Sequence, residues 1–146
     1  MDPRELPQIK EWLAGDEPFH PIGFVMANCS VAEAVTLAMI FWPEFVEYRG
    51  GVFLKWAFIQ RNVDTWFDEA GDDRSRVEVV VNHLHFWDAF SLKRAEDYLA
   101  VSALAVKVAS MWRAALRESF PGREFDVMLT DQTNDYGPTV TFRSLN

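Results

Sequence analysis

The segment from Leu92 to Phe120 constrains the fold most, because it is the longest part of the chain without a helix breaker. Proline is absent until Pro121, where Pro-Gly ends the segment, and Lys107 is the only charge between positions 98 and 112. A helix of this length would extend for about 40 Å, enough to cross a small domain. The segment therefore predicts one long helix that the rest of the chain packs around.

Apolar residues lie on two stripes of this predicted helix. One stripe contains Tyr98, Val101, Ala105, Val108, Ala109, Trp112 and Leu116, and its flank contains Leu99, Ala103 and Val106. A helix that is apolar most of the way round is buried by more than one layer, so we expect a central position. The uncharged run from 98 to 106 is well below the roughly 18 residues that a membrane span requires, so the sequence predicts no membrane span.

Composition places the chain among folded proteins. Of its 146 residues 49% are hydrophobic, with 6 Trp and 12 Phe, whereas disordered chains are depleted in such groups. The length predicts a single globular domain over residues 1–146. A lone cysteine, Cys29, excludes an internal disulfide, and the first five residues lack the apolar run of a secretory signal. We therefore expect a cytoplasmic protein.

Local signals predict the elements that precede the long helix. Residues 6–14 favour a short helix, followed by a loop rich in breakers through Gly23. Ser30 and Glu33 have the spacing of a capping box, which begins a second helix that ends before Pro43. Gly50-Gly51 suits the turn of a hairpin between strands at 45–48 and 52–58. A third helix is expected at 62–70, with three side chains inward: Val63, Trp66 and Phe67.

The remaining signals favour strands. Residues 76–86 alternate in the manner of a strand, and 125–129 with 140–142 indicate a hairpin across the turn-rich loop at 131–138. This element order does not alternate strand with helix, so a doubly wound parallel sheet is unexpected. The prediction is an α+β fold, in which a mainly antiparallel sheet of about five strands packs on the long central helix (residues 92–120), with two or three shorter helices.

Cys29 is the first candidate for chemistry. It directly precedes the Ser30 cap, at the positive end of a helix dipole, where a thiolate would be stabilised. Thiol nucleophiles are often placed in this way, and such a nucleophile is activated by a neighbouring base. One alternative is therefore a cysteine-dependent hydrolase that uses Cys29 with His83 or His85. The other interpretation is that Cys29 is a small packing residue.

His83 and His85 form the second candidate. On the predicted strand they project from one face about 6.6 Å apart, a separation from which two imidazoles can bind one metal ion. His-x-His metal binding is thus a further alternative, although three valines on the same face also favour histidines at the edge of the core. No other motif demands a cofactor, so we expect none.

An acidic cluster supports the leading hypothesis. Five acids fall within ten residues: Asp64, Asp68, Glu69, Asp72 and Asp73. They lack the spacing and central glycine of a calcium loop. The chain carries 22 acidic and 14 basic residues, a net charge of −8, which argues against nucleic acid or an anionic membrane as partner. We therefore expect a non-enzymatic protein-binding module that uses these acids to bind a basic protein, in analogy to acidic immunity or escort proteins.

Overall fold

The computed structural model describes residues 1–13, 15, 17–130 and 136–145. Its helices are α1 (Pro7–Trp12), α2 (Pro21–Asn28), α3 (Val31–Phe41), α4 (Gln60–Ala70), α5 (Arg74–Val81), α6 (Phe86–Ala89) and α7 (Ala95–Ser119). Its strands are β1 (Phe45–Tyr48), β2 (Gly51–Leu54), β3 (Leu84–His85), β4 (Phe125–Thr130) and β5 (Thr139–Ser144). The predicted α+β class with a long helix is confirmed.

Helix α7 is the long helix, and one side of it forms the centre of the main core. The buried residues on that side are Val101, Ala105, Val108, Ala109, Trp112, Ala115 and Leu116. The indole nitrogen of Trp112 donates to the Ile40 carbonyl at 2.9 Å, which joins α3 to this core. The opposite flank is exposed, because Leu99 and Val106 keep 60% and 56% of their surface accessible. The predicted burial of the flank with Leu99 and Val106 is therefore wrong, whereas α7 does contact more than one layer, since α3, α6 and the sheet of β4 and β5 all pack against it.

The five antiparallel strands form two small sheets rather than one. Strands β1 and β2 make a hairpin whose turn residues, Arg49 and Gly50, both have positive φ, as a two-residue turn of the I′ type requires. Strands β3, β5 and β4 make the second sheet in that order, with β4 and β5 paired along their whole length. Both predicted hairpins are therefore present, but the first turn is one residue earlier than expected, at Arg49-Gly50, and its second strand ends at Leu54 rather than at residue 58. The part of the turn at 131–135 lies outside the described residues.

Helix α5 separates the two sheets and corrects the predicted strand at 76–86. Only Leu84–His85 is strand, whereas Arg74–Val81 is a helix that Asp73 caps by accepting the Arg76 amide at 3.1 Å. Two fully buried side chains one turn apart, Glu78 in α5 and Asn82 at its C-terminal end, take the place of strand pairing. Glu78 accepts the amides of Val52 and Ser144, each at 2.9 Å, and Asn82 accepts the Leu54 amide and donates to the Val52 carbonyl. The facing edges of β2 and β5 are thereby satisfied without a strand between them.

Helices α2 and α3 form an apolar arm that buries no residue completely. Helix α3 begins at the predicted capping box, in which Ser30 and Glu33 exchange hydrogen bonds. Residues 21–23 begin helix α2 instead of continuing the predicted loop, because Pro21 occupies the first turn, where a missing amide costs nothing. By length and composition alone, α7 is long and apolar enough to cross a membrane. Helices α2 and α3 reach the same length and hydrophobicity when they are taken together, with a bend of 120° between them.

Candidate functional site

The acidic cluster lies on α4 and the turn that follows it. Helix α4 buries Val63 and Phe67 against Phe53 and Val77, and Gly71 ends it in the left-handed conformation, with φ of 62°. That burial leaves the opposite side of the helix to solvent. Trp66 does not lie inward as the sequence predicted. Because Trp66 precedes the buried Phe67 by one position, its ring lies to the side of the core, and Trp66 is 42% exposed.

Arg49 engages two of the five acids. From the β1–β2 turn its guanidinium lies 3.4 Å from the Asp64 carboxylate and 2.5 Å from that of Asp72, and it covers the Phe67 ring at 4.3 Å. Tyr48 also donates to Asp64, at 2.9 Å, and this hydrogen bond raises the pKa of the tyrosine. Asp64 therefore anchors the hairpin to α4, and its charge is compensated within the chain.

The acids of the cluster thus have three different environments. The Asp73 carboxylate caps α5 by accepting the Arg76 amide. Asp72 pairs with Arg49, although 77% of its side-chain surface stays exposed. Asp68 and Glu69 are exposed, and across the described part of the chain no hydrogen bond or ion pair engages either carboxylate. We call Trp66, Asp68, Glu69 and Asp72 the Trp66 patch. It contains an exposed indole ring, the Glu69 carboxylate about one turn away, the Asp68 carboxylate farther round the helix, and Asp72, which already pairs with Arg49.

The second feature beside Trp66 is a small cavity of about 70 Å³ between α4 and α5. Its walls include Glu69, Ala70 and the aliphatic side chain of Val80. Trp66, Arg76 and Val77 line the same cavity, so its walls are partly apolar and partly charged. A cavity of this size admits a methyl or a short alkyl group rather than a cofactor.

Cys29 lies at the junction of α2 and α3. It is the residue that ends α2 and immediately precedes the Ser30 cap, so it meets the negative end of one helix dipole and the positive end of the next. Its thiol donates to the Ser30 carbonyl at 3.5 Å. Within the described residues it has no hydrogen bond to a histidine. The hydrolase alternative would require His83 or His85 to reach this thiol as the base.

His83 and His85 lie side by side at the start of β3, with ring centroids 4.6 Å apart. Nδ1 of His83 donates to the Val80 carbonyl, and Nδ1 of His85 lies 2.9 Å from the Thr139 hydroxyl. That hydroxyl donates to the Gly137 carbonyl at 3.2 Å, so His85 is the donor in its pair with Thr139. Both rings are thus fixed by their Nδ1 atoms. Among the residues that the structure describes, no group of three or more metal-ligating side chains includes them.

The environment of His85 favours its neutral form. Partial burial lowers its pKa, the nearby His83 lowers it further, and Asp88 opposes both effects. The hydrogen bond to Thr139 fixes the orientation of this ring at the edge of the core.

Two residues that matter for the site were not identified from the sequence. Arg49 carried no signal, because its ion pairs with Asp64 and Asp72 depend on how the hairpin docks on α4. For Trp66 the sequence did contain a signal. Val63 and Phe67 are four positions apart and define the buried stripe of α4, and position 66 lies on the flank of that stripe. The chain matches no family model, no curated protein and no solved structure, so its own geometry must carry the functional interpretation.

Proposed function

We propose that this protein is a non-enzymatic protein-binding module that binds a basic protein through the Trp66 patch. The observation that carries the proposal is the exposed indole of Trp66 about one helical turn from the exposed carboxylate of Glu69, which has no hydrogen bond or ion pair among the described residues. Asp68, which is likewise exposed and unpaired there, lies farther round α4. Tryptophan is among the residues most enriched at the energetic centres of protein interfaces, because a large ring is desolvated with little loss of conformational entropy.

Charge supports a cationic partner. The chain has a net charge of −8, so a basic protein is attracted from a distance, whereas an acidic one is repelled. Near the surface, Asp68 and Glu69 supply the local attraction, and Asp72 adds to it where a partner's cation displaces Arg49. The charges would act mainly on the association rate, and the indole would act on the lifetime of the complex.

The partner's complementary side chain is expected to be an arginine or lysine that lies over the exposed face of Trp66. A cation above an indole face is stabilised by about 0.5–2 kcal/mol, depending on how far water is excluded. The Glu69 carboxylate would then receive a hydrogen bond from the same basic residue, and Asp68 from a neighbouring one. Glu69 lies about one helical turn from Trp66, so the ring and this carboxylate share one side of α4.

Affinity capture from native lysate, followed by quantitative mass spectrometry, tests the proposal. Wild type is compared with the double variant Asp68→Lys/Glu69→Lys and with Trp66→Ala, all at exposed positions that leave the fold intact. We expect wild type to retain a basic protein that both variants lose. With that protein in hand, association should slow about tenfold in the charge variant at low salt and should slow for wild type as salt is added.

The matched control is Glu17→Lys/Glu118→Lys, which changes the net charge by the same amount at exposed acids elsewhere. If this control loses the partner as completely as the Asp68→Lys/Glu69→Lys variant, overall charge governs binding and the patch is a solvated face. Retention of the same protein by all variants contradicts the proposal directly.

A further inference from the structure

A separate surface on α3 has the composition of an interior but is open to solvent. Its exposed residues fall at helical positions i, i+3, i+4, i+7, i+8 and i+11, and we call them the α3 stripe: Val31, Ala34, Val35, Ala38, Met39 and Trp42. Val31 is 81% exposed. The opposite side of α3 already packs on the main core through Ile40 and Phe41. Helix α3 is thus apolar on two sides and covered on one.

The polar groups of α3 are used within the helix itself. The hydroxyl of Thr36 donates to the Ala32 carbonyl at 2.8 Å, and Glu33 is held by the capping box. No charged residue follows Glu33 until Glu44. A helix whose side-chain polar groups are engaged locally loses little when its outer side leaves water.

The size of the surface is that of an interface. Beside the stripe is a groove of about 420 Å³ lined by Trp42, Trp56 and the side chains of Val35 and Met39. The exposed fractions of the stripe and Trp56 correspond to roughly 600 Å² of apolar surface. This area is at the upper limit of about 600 Å² for the largest apolar patch of a typical monomer. It is also close to the ~800 Å² that each partner contributes to a stable complex.

We propose that the α3 stripe binds a second copy of this chain, with the two α3 helices antiparallel about a two-fold axis. The stripe alternates large and small side chains, so Val35 and Met39 of one copy fit over Ala38 and Ala34 of the other. A two-fold interface requires this self-complementarity, because the same surface is presented by both copies.

An uncharged face permits a second copy as occupant. Two chains of charge −8 repel each other unless they meet at a face without acids, and residues 34–42 form such a face. At the border of the groove Glu44 and Lys55 already pair with each other, at 2.5 Å, so this border adds no unpaired charge to a contact between two copies. The inference is independent of the proposed partner binding, which uses α4.

Sedimentation velocity over a range of micromolar concentrations tests this interface. Wild type is expected to be a dimer, and Val35→Glu/Met39→Glu should raise its dissociation constant by at least about 100-fold, because two charges per copy would be buried without a partner. Thr36→Glu places a charge on the same helix outside the stripe, and Leu99→Glu removes an equally exposed apolar residue of α7. Both controls should remain dimeric.

Cross-linking tests the antiparallel geometry. In a Cys29→Ser background, Ala38→Cys lies near the proposed axis and should form a disulfide-linked dimer on mild oxidation, whereas Thr36→Cys should not. A monomeric wild type overturns the proposal, and so does a dimer that Val35→Glu/Met39→Glu leaves intact. A monomer that floats with neutral phosphatidylcholine vesicles would instead assign the stripe to a lipid surface, which also overturns it.

Discussion

Glu78 is the residue whose replacement should reveal most about how the fold is held together. Its carboxylate is fully buried and joins two sheets: Oε1 accepts the Val52 amide of β2, and Oε2 accepts the Ser144 amide of β5, each at 2.9 Å. The Ser144 hydroxyl also donates to Oε1 at 2.6 Å. Arg74 is the nearest cation, with Nε 4.0 Å away. Glu78 therefore serves as an acceptor for strand edges that have no neighbouring strand.

Glu78→Ala should destabilise the protein by about 3–5 kcal/mol. The change leaves two buried amides and one hydroxyl without an acceptor, and each unsatisfied buried group costs about 1–3 kcal/mol. Water that enters the vacated space would recover part of this cost. Glu78→Gln should cost less, about 1–3 kcal/mol, because its carbonyl oxygen still accepts the Val52 amide while its NH₂ group opposes the donor of Ser144.

Urea unfolding followed by circular dichroism measures these changes. With a typical slope of about 2 kcal/mol per M, the midpoint of Glu78→Ala should fall by roughly 2 M. Glu118→Ala, an exposed acid on α7, is the control and should change stability by less than about 0.5 kcal/mol. In a double-mutant cycle with Ser144→Ala, the two changes should be strongly non-additive. A Glu78→Ala midpoint equal to that of the control would refute the role assigned to this carboxylate.

Two further predictions concern the core and pH. Ala105→Asp should lower stability by about 3–5 kcal/mol because it buries an unpaired charge in α7, whereas Lys107→Ala should be nearly neutral; thermal unfolding that is unchanged by Ala105→Asp would contradict the placement of α7. Since burial and His83 lower the pKa of His85, the unfolded state binds more protons, and stability should fall as the pH drops below about 6.5. Urea midpoints at pH 7.5 and 5.5 should differ less in His85→Gln than in wild type, and a His20→Gln control should keep the wild-type difference.

Local signals sufficed for much of the fold. The capping box at Ser30, the turn near Gly50 and the absence of breakers from 92 to 120 act over a few residues, so they could be recognised without knowledge of tertiary contacts. The run at 76–86 was misread because Val77, Val79 and Val81 favour a strand in isolation. In the helix, Glu78 and the capping residue Asn82, four positions apart, lie on one side, where Glu78 accepts amides of β2 and β5 and Asn82 accepts one of β2.

The candidate site was less accessible to sequence reasoning than the fold. A count of acids could not distinguish Asp73, which caps α5, from Asp68, which faces solvent, because the difference depends on where each helix begins. Similarly, the pairing of Asp64 with Arg49 requires the hairpin to dock on α4. Spacing indicated only that charge is concentrated there. The division of that charge between fold and surface is a tertiary property.

The distribution of charge along the chain gives the two proposed surfaces one physical basis. Acids that face solvent on α4 would disfavour self-association through that helix. If two copies met there, Asp68 and Glu69 of one copy would lie close to Asp68 and Glu69 of the other and repel them. The same net charge leaves α3, uncharged from 34 to 42, as a face where like chains meet without repulsion. A dimer formed through the α3 stripe would leave both Trp66 patches free and would present two acidic sites to a basic protein. Two sites on one dimer raise the apparent affinity for a partner with repeated basic segments, provided that the partner can span them.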